Sequence, residues 1–588
     1  MQHLKSLNIY FLKYKWLFLT GTLFVALSNV FQVYAPHYVG DMIDLVEKNL
    51  NAIRSDNVAA DSVYRSLLTL AALFVGFTLL RGICMFFMRQ TIIIMSRHVE
   101  YDQKNELFTK YETLTPSFFK RNNTGDLMSR VAEDVGRVRQ YVGPAVMYFI
   151  NLIFNSVLVI WMMVQISPTL ALYVLLPLPV LSVSIYFVNS IINKKSELIQ
   201  AQLSNLTSIA QESFSGIRVI QAYAQEEKEG QYFEENCEKY KTLSLSLSRV
   251  DALFQPLMVF LIGLSVLITI FAGGMQVMHN KISPGDLAEF LFYINMLTWP
   301  VTSLGWVVSI VQRAAASQRR INEFLFTKPD IVSSDKPHRH IKGKIRFENV
   351  TFTYPDTGVT ALKNISFTAE AGEKIAIVGK TGAGKSTIAD LLFRLYDPDS
   401  GTIYIDDIPI SEYNLLDLRQ GMSAVPQDVF LFSDTVENNI SFSNRAATAE
   451  DVKKYAAFAS IKEEIEAFKD GFNTMVGERG VTLSGGQKQR ISIARAFLKD
   501  APVILLDDSL SAVDSNTEKR ILSNMRTFLE EKTAIIITHR IFSLLEFDLI
   551  LVLDDHTIAE QGTHESLMGK KGIYFAIYES QRLEDSSL

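Results

Sequence analysis

Six long apolar stretches, all within the first 325 of 588 residues, constrain the fold of this chain more than any other feature. They run from Trp16 to about Gly40, Ser66 to Met88, Pro144 to Ile166, Pro168 to Val188, Leu253 to Met275 and Leu287 to Ile310. An α-helix rises about 1.5 Å per residue, so roughly 20 apolar residues cross the hydrocarbon core of a bilayer. One such run also fits a buried helix of a soluble protein; six in succession predict a bundle of transmembrane helices. Only Ser167-Pro168 separates the third run from the fourth, which leaves room for no more than a tight turn. Met1 to Lys15 is mixed polar and basic, and the run after it is too long for the core of a signal peptide, so no cleavable leader is expected.

Basic residues set the orientation. The segment between the second and third runs carries Arg89, Arg97, Lys104, Lys110, Lys120, Arg121, Arg130, Arg137 and Arg139. The segment between the fourth and fifth carries Lys194, Lys195, Arg218, Lys228, Lys239, Lys241 and Arg249. The opposite loops hold only Lys48, Arg54, Arg65 and Lys281. The positive-inside rule then places both long segments, the N-terminus and the C-terminal half in the cytoplasm. These segments are charged and compatible with helix, so the membrane helices are expected to continue beyond the lipid. Phe118 to Leu127 and Ser215 to Ile220 each combine a glycine break with amphipathic flanks, a pattern that fits a short transverse helix docking on another domain or a plain helical turn.

Polar residues inside the runs are costly and need a reason. They are Asn29 and Gln32 in the first, Arg81 in the second, Asn151 and Asn155 in the third and Asn295 in the sixth. A polar translocation pathway is one reading. Interhelical hydrogen bonding, with Arg81 snorkelling towards the interface, is the other and is favoured for each residue taken singly.

The second half reads as an ordinary α/β protein behind a polar linker punctuated by Pro329 and Pro337. The boundaries expected are 1–325 for the six-helix membrane domain, 326–342 for the linker and 343–588 for the C-terminal α/β domain. Averaging the halves gives 48% hydrophobic and 20% charged residues, which excludes a disordered or fibrous chain but hides the segregation. A net charge of −6 is too balanced for a nucleic-acid binder, and two cysteines, Cys84 and Cys237, exclude a disulfide scaffold.

In that half the apolar strand Lys374 to Val378 runs straight into Gly379-Lys380-Thr381-Gly382-Ala383-Gly384-Lys385-Ser386-Thr387, with a helix expected from Ile388 to Leu395. This is a phosphate-binding loop in the context it requires. Glycines let backbone N–H groups close around phosphate oxygens, Lys385 adds a point charge, and Ser386 offers a hydroxyl to Mg²⁺. A second strand, Val503 to Leu506, delivers Asp507, a carboxylate suited to holding Mg²⁺ through water, and then Asp508. Between them, Leu483-Ser484-Gly485-Gly486-Gln487 precedes a helical run, Lys488 to Leu498, and makes a second anion cradle. Two phosphate-binding ends too far apart for one nucleotide suggest a head-to-tail dimer with ATP at the seam.

With these motifs in this order, the whole chain resembles an ATP-binding cassette (ABC) exporter of the half-transporter type, one membrane domain fused to one nucleotide-binding domain. The resemblance implies ATP and Mg²⁺ as ligands and further roles by position. Tyr354 matches the aromatic that stacks on adenine, Gln427 the glutamine that touches Mg²⁺, and His539 the histidine that contacts the γ-phosphate. Ser511 to Asp514 resembles the loop facing the partner domain, and Val476 to Gly480 the segment that senses the membrane domain. The stretches around Thr124 to Asp126 and Gly216 resemble coupling helices. It also implies an integral protein of a bacterial inner (plasma) membrane that exports or flips an amphiphilic drug or lipid.

One position departs from the family. Where the general base is usually Glu, this chain has Asp508, shorter by about 1.5 Å. The site is therefore expected to bind ATP and hydrolyse it slowly, which favours a heterodimer with a second half-transporter over a homodimer. A membrane-anchored ATP-dependent regulator is the alternative function.

Overall fold

The structure, a computed structural model, describes residues 2–49, 59–333, 338–539 and 547–586. Arg54 and Pro337 lie outside the described residues. The chain divides into two compact units, Met1–Glu112 with Gly125–Thr327, and Thr113–Thr124 with Lys328–Leu588.

The first unit is built on six long helices: α1 (Lys15–Lys48), α2 (Ala59–Glu112), α3 (Val146–Ile166), α4 (Pro177–Ser215), α5 (Glu226–Ile268) and α6 (Pro284–Leu325). Five described helical runs are long and apolar enough to span a bilayer: Lys15–Lys48, Asp61–Glu112, Thr124–Ile166, Glu226–Met278 and Pro284–Leu325. The expected fourth run is shared between a helix at Pro168–Leu175 and the first turns of α4, which restarts at Pro177. Proline lacks the N–H that a continuing helix needs but fits a first turn. At 54 residues α2 is about 80 Å long, far more than a membrane thickness, so it does run on beyond the lipid. Its apolar side chains Leu68, Leu79 and Phe86 face outward, as a lipid-facing surface requires. The turn between the third and fourth runs is as tight as expected: Ser167 caps the next helix by accepting from the Leu170 N–H, with Pro168 in the first helical position.

Polar groups tie these helices together. Asn29 on α1 donates to Asn151 Oδ1 on α3 at 2.8 Å, and Asn155 on α3 donates to the Met296 carbonyl on α6 at 3.0 Å. These are the interhelical bonds expected of such residues, whereas Asn295 donates to Leu291 of its own helix. Near the ends of these helices Asp134, 1% exposed, accepts from Ser317 at 2.7 Å and pairs with Arg320 at 3.1 Å, while Arg320 also reaches Asp126. Along α4 and α5, Asn236 accepts from Gln202 and Asn205.

The second unit holds two sheets. One is antiparallel in the order β2-β1-β4-β5, from β1 (Ile345–Thr353), β2 (Thr360–Ala369), β4 (Ser400–Ile405) and β5 (Ile408–Pro409). The other runs β10-β9-β3-β8-β7-β6, from β3 (Lys374–Gly379), β6 (Met422–Val425), β7 (Val503–Asp507), β8 (Thr533–Ile537), β9 (Leu549–Asp554) and β10 (Thr557–Gly562). In it β9, β3, β8, β7 and β6 are all parallel. Parallel strands are covered on both faces, which is why β7 is buried at every residue and reads as one apolar run. Two apolar cores fill the unit. One packs the antiparallel sheet and β3 around Ile388 and Leu392; the other surrounds Ile491, Ile493 and Phe497.

Two helix bounds differ from expectation. The helix after the phosphate loop, α7, is Lys385–Leu392 rather than Ile388–Leu395. Gly384, with φ +95°, breaks the chain into the helix three residues earlier, and Arg394, with φ +47°, ends it. The helix after Ser484, α8, is Gly485–Leu498 and includes the two glycines. A last helix used below, α9, spans Ser515–Phe528.

Candidate functional site

Register gathers the sequence motifs at one edge of the parallel sheet. Ile377 of β3 lies beside Ile537 of β8, Ile537 beside Asp507 of β7, and Leu506 of β7 beside Val425 of β6. The carboxyl ends of four strands therefore deliver Gly379 to Ser386, His539, Asp507-Asp508 and Gln427 to the same edge. Loops at the carboxyl ends of parallel strands are where ligands bind in open α/β sheets.

The phosphate loop is held open by glycines where nothing larger fits. A Cβ at Gly379 would lie 2.3 Å from the Leu553 carbonyl, and one at Gly384 would lie 2.2 Å from the Ala361 carbonyl. The chain enters α7 with Lys385, Ser386 and Thr387 in the first turn, so the positive end of the helix dipole faces the loop. Lys385 is buried, and its ammonium donates to the Gly379 and Lys380 carbonyls at 2.8 and 2.9 Å. Burial pulls its pKa below the ordinary lysine value against the opposing pull of Asp507 and Asp508. Lys380, Thr381, Gly382 and Ala383 complete the turn, with Gly382 also at positive φ.

Asp507 is 6% exposed. Burial raises its pKa above the carboxylate norm, opposed by a hydrogen bond from Ser386 and by the charges of Lys385 and His539. Ser386 and Asp507 thus meet, and their oxygens, with that of Gln427 delivered to the same edge, are donors of the kind Mg²⁺ prefers. Asp508 follows at φ +44°, its N–H donating to the Ile537 carbonyl at 2.8 Å. Gln427 and His539 are exposed beside these strand ends.

Tyr354 is half-buried at the end of β1, and its hydroxyl lies 3.0 Å from Thr387 Oγ1 and donates to Asp390 at 3.2 Å. Burial pushes its pKa up to about 12. A cation covers it: Lys120, on the short helix Pro116–Arg121 that belongs to this second unit, sits 4.9 Å from the Tyr354 ring centre. The sequence marked this stretch for docking but carried no signal that Lys120 meets Tyr354.

Ser484, Gly485, Gly486 and Gln487 stand apart, in the second core. Ser484 caps α8 in a reciprocal box with Gln487, and Gly486 passes so close to the Ala512 carbonyl that a Cβ would lie 2.7 Å from it. Gln487 also donates to Glu464, which Arg490 grips at 2.6 Å. A further residue escaped sequence reasoning. Gln489, 6% exposed on α8, donates to Ser511 Oγ at 3.1 Å and accepts from the Ala512 N–H at 3.0 Å. It ties the second cradle to the loop after Asp508. Asp514 then caps α9, and the N–H of Thr517 is the main cause holding its carboxyl below the usual range.

Comparison with known proteins matches residues 18–301 to the family described as ABC transporter transmembrane region, and residues 362–511 to that described as ABC transporter. The chain is 35% identical over 584 residues to the probable multidrug resistance ABC transporter ATP-binding/permease protein YheI of Bacillus subtilis (strain 168), covering 99% of this chain and 98% of that one. It is 33% identical over 585 residues to the multidrug resistance-like ATP-binding protein MdlA of Escherichia coli (strain K12), covering 99% and 97%. An ATP-dependent lipid A-core flippase of Syntrophus aciditrophicus (strain SB) is 33% identical over 86% of this chain and 84% of its own. Among solved structures, a bacterial Atm1-family ABC exporter with ATP bound superposes with a TM-score of 0.77 at 25% identity, covering 97% of this chain and 99% of that one. With relatives at 33–35% identity matched over nearly the whole length of both chains, the chain belongs to the ABC exporters, as a half-transporter whose ATPase is coupled to transport.

Proposed function

We propose that this chain exports or flips an amphiphilic substrate across a bacterial inner membrane by closing as a dimer on ATP and reopening after hydrolysis. The observation that carries the dimer is the separation of the two cradles, one in each apolar core, so that a nucleotide on the Lys385 loop needs the Ser484 cradle of another domain. An unpartnered tip supports it. The short helix Ile217–Ala222 after Gly216 buries none of its residues, and Phe214 and Tyr223 beside it are 77% and 74% exposed, which suits docking on a partner chain.

In this reading residues 1–325 form the membrane domain, 326–342 the linker and 343–588 the nucleotide-binding domain, with the N-terminus and the nucleotide-binding domain cytoplasmic. Tyr354 stacks on adenine once Lys120 yields its face. The Gly379–Thr387 loop binds the phosphates, Asp508 orients the attacking water, His539 contacts the γ-phosphate, and Ser484 to Gln487 bind the γ-phosphate held by the partner. Ser386, Gln427 and Asp507 would hold Mg²⁺, which when bound neutralises charge on the phosphates. The short reach of Asp508 favours a heterodimer whose partner supplies the stronger base to the site completed by Ser484.

Proteoliposomes containing the chain, alone or with a second half-transporter, test this: ATP-driven movement of labelled amphiphiles that Lys385→Ala abolishes is expected. Substrate-independent ATPase with no movement in either preparation would leave the membrane-anchored regulator instead.

A further inference from the structure

The Ser484 cradle leans on a carboxylate that lies outside it in the sequence. Glu464 sits on the short helix Lys462–Glu466, and three N–H donors converge on its two oxygens. Gln487 Nε2 donates at 3.0 Å, and the Arg490 guanidinium reaches both oxygens as a fork, at 2.6 and 3.1 Å. Arg490 is 8% exposed and also donates to the Ser460 carbonyl at 2.8 Å and the Gly486 carbonyl at 3.2 Å. An ion pair between two solvated side chains is worth little, but a buried guanidinium held in a fork and on two carbonyls is a fixed point.

The effect on the cradle follows from amide chemistry. Gln487 Oε1 accepts from the Ser484 N–H at 3.0 Å, while Ser484 Oγ accepts from the Gln487 N–H at 3.3 Å. An amide has one oxygen and one NH₂, so this box closes only with the oxygen turned to Ser484. A carboxylate accepts and never donates. Glu464 therefore takes the NH₂ and excludes the flipped amide. With Gln487 set, Ser484 Oγ uses a lone pair in the cap and has its O–H to give to an anion. Removing the carboxylate has a second, opposing effect, because an unpaired Arg490 makes the cradle more positive. Charge effects at a half-exposed site are worth up to about fivefold, and a hydrogen bond to a charged group about tenfold or more. Positioning outweighs field.

We propose that Glu464 is a positioning residue for the γ-phosphate cradle: through Gln487 and Arg490 it fixes Ser484 so that the hydroxyl meets the γ-phosphate of the nucleotide held by the partner. Glu464 touches no reacting atom itself. Its role rests on the reading above that the Ser484 cradle completes the partner's site, and the two are separable by experiment.

Two readouts on the full chain test this. The first needs neither nucleotide nor partner: hydrogen–deuterium exchange on peptides covering 483–490 and, for reference, 379–387. Glu464→Gln keeps size and shape but sets an NH₂ among donors. It is expected to speed exchange in the first peptide about tenfold and to leave the second unchanged, with Glu464→Asp, still acceptor-only, restoring part of the protection. The second readout is steady-state ATPase, with ADP as competitor, in the assembly that hydrolyses ATP, the chain alone or with a second half-transporter. ADP lacks the γ-phosphate. Glu464→Gln is therefore expected to raise KM for ATP about tenfold while the ADP inhibition constant stays within about twofold. Glu466→Gln, whose ion pair with Lys462 stays on its own helix, changes neither. Unchanged exchange at 483–490, equal weakening of ATP and ADP, or tighter ATP in Glu464→Gln would overturn the proposal, the last because field would then outweigh positioning. Ser484→Ala separates the two readings. If it leaves KM for ATP unaltered, the cradle reading fails and the role of Glu464 with it; if it raises KM and Glu464→Gln does not, only the role of Glu464 fails.

Discussion

Lengthening the base by one carbon is the most direct probe of this ATPase. In Asp508→Glu the backbone has little freedom to shift, because the Asp508 N–H is held by Ile537 at 2.8 Å and its carbonyl accepts from Ser511 at 3.0 Å. The added methylene therefore appears as reach, about 1.5 Å. Misplacement of a reacting group by about 1 Å costs on the order of 100-fold, near 2.7 kcal/mol of barrier. One opposing effect is local. Position 508 sits at φ +44°, a region that Asp tolerates better than most residues. Its full cost is about 1–2 kcal/mol, and the difference between Asp and Glu is a fraction of that. It falls on fold stability more than on the barrier. A rise in turnover between about 10- and 100-fold is expected, read as phosphate release by the purified full chain at saturating Mg-ATP, with nucleotide affinity unchanged. If the unaltered protein alone already turns over at ~1 s⁻¹ or faster and Asp508→Glu adds nothing, Asp508 is an adequate base and the case for a heterodimer collapses.

Lys385→Ala is expected to weaken ATP binding roughly 10- to 100-fold, the worth of a charged hydrogen bond, while Asp508→Asn leaves it intact; titration with a fluorescent ATP analogue compares them, and equal losses would contradict the assignment of both residues. Gly384→Ala forces a Cβ to 2.2 Å from the Ala361 carbonyl at φ +95°, so a thermal melt should report a loss of roughly 1–3 kcal/mol together with lost nucleotide binding; an unshifted melting temperature would mean the loop relaxes freely. Lys120→Met removes the cation lying 4.9 Å from the Tyr354 ring and is expected to tighten ATP about two- to fivefold, the scale of an exposed cation–π contact; weaker binding would show that Lys120 assists the nucleotide rather than competing with it.

What could be read from the sequence was local or periodic. The phosphate loop is a contiguous motif, and β7 announced itself as an apolar run because parallel strands are buried on both faces. The start of α7 is not legible in the sequence because its first turn, Lys385-Ser386-Thr387, is polar and carries no apolar period, although a positive-φ Gly384 is what begins it. Gln489 and Lys120 were out of reach for a different reason. Each acts through a partner brought near by tertiary packing, Ser511 and Ala512 for one and Tyr354 for the other, and nothing in the neighbouring sequence distinguishes either from an ordinary surface polar residue. The antiparallel sheet around β1 was likewise not foreseen beyond its class, since strand order depends on pairings between segments rather than on any one of them.

The intramembrane polar residues show how far sequence alone can sort such groups. Burial of a charge carries a similar cost wherever it occurs, so the informative question is what offsets it. Asp134 is offset by Arg320 and Ser317, and Glu289 by His37 and Tyr293; both carboxylates face a cation or imidazole within the fold and clamp one helix to another. Lys385 rests on two loop carbonyls and Asp507 on a hydroxyl, arrangements that satisfy hydrogen bonds but leave each charge penalised, as the downward shift of one and the upward shift of the other record. Those two sit where a polyanionic nucleotide and its cation belong. Asn29 and Asn151 need no such partner from outside, because two amides on neighbouring helices satisfy one another.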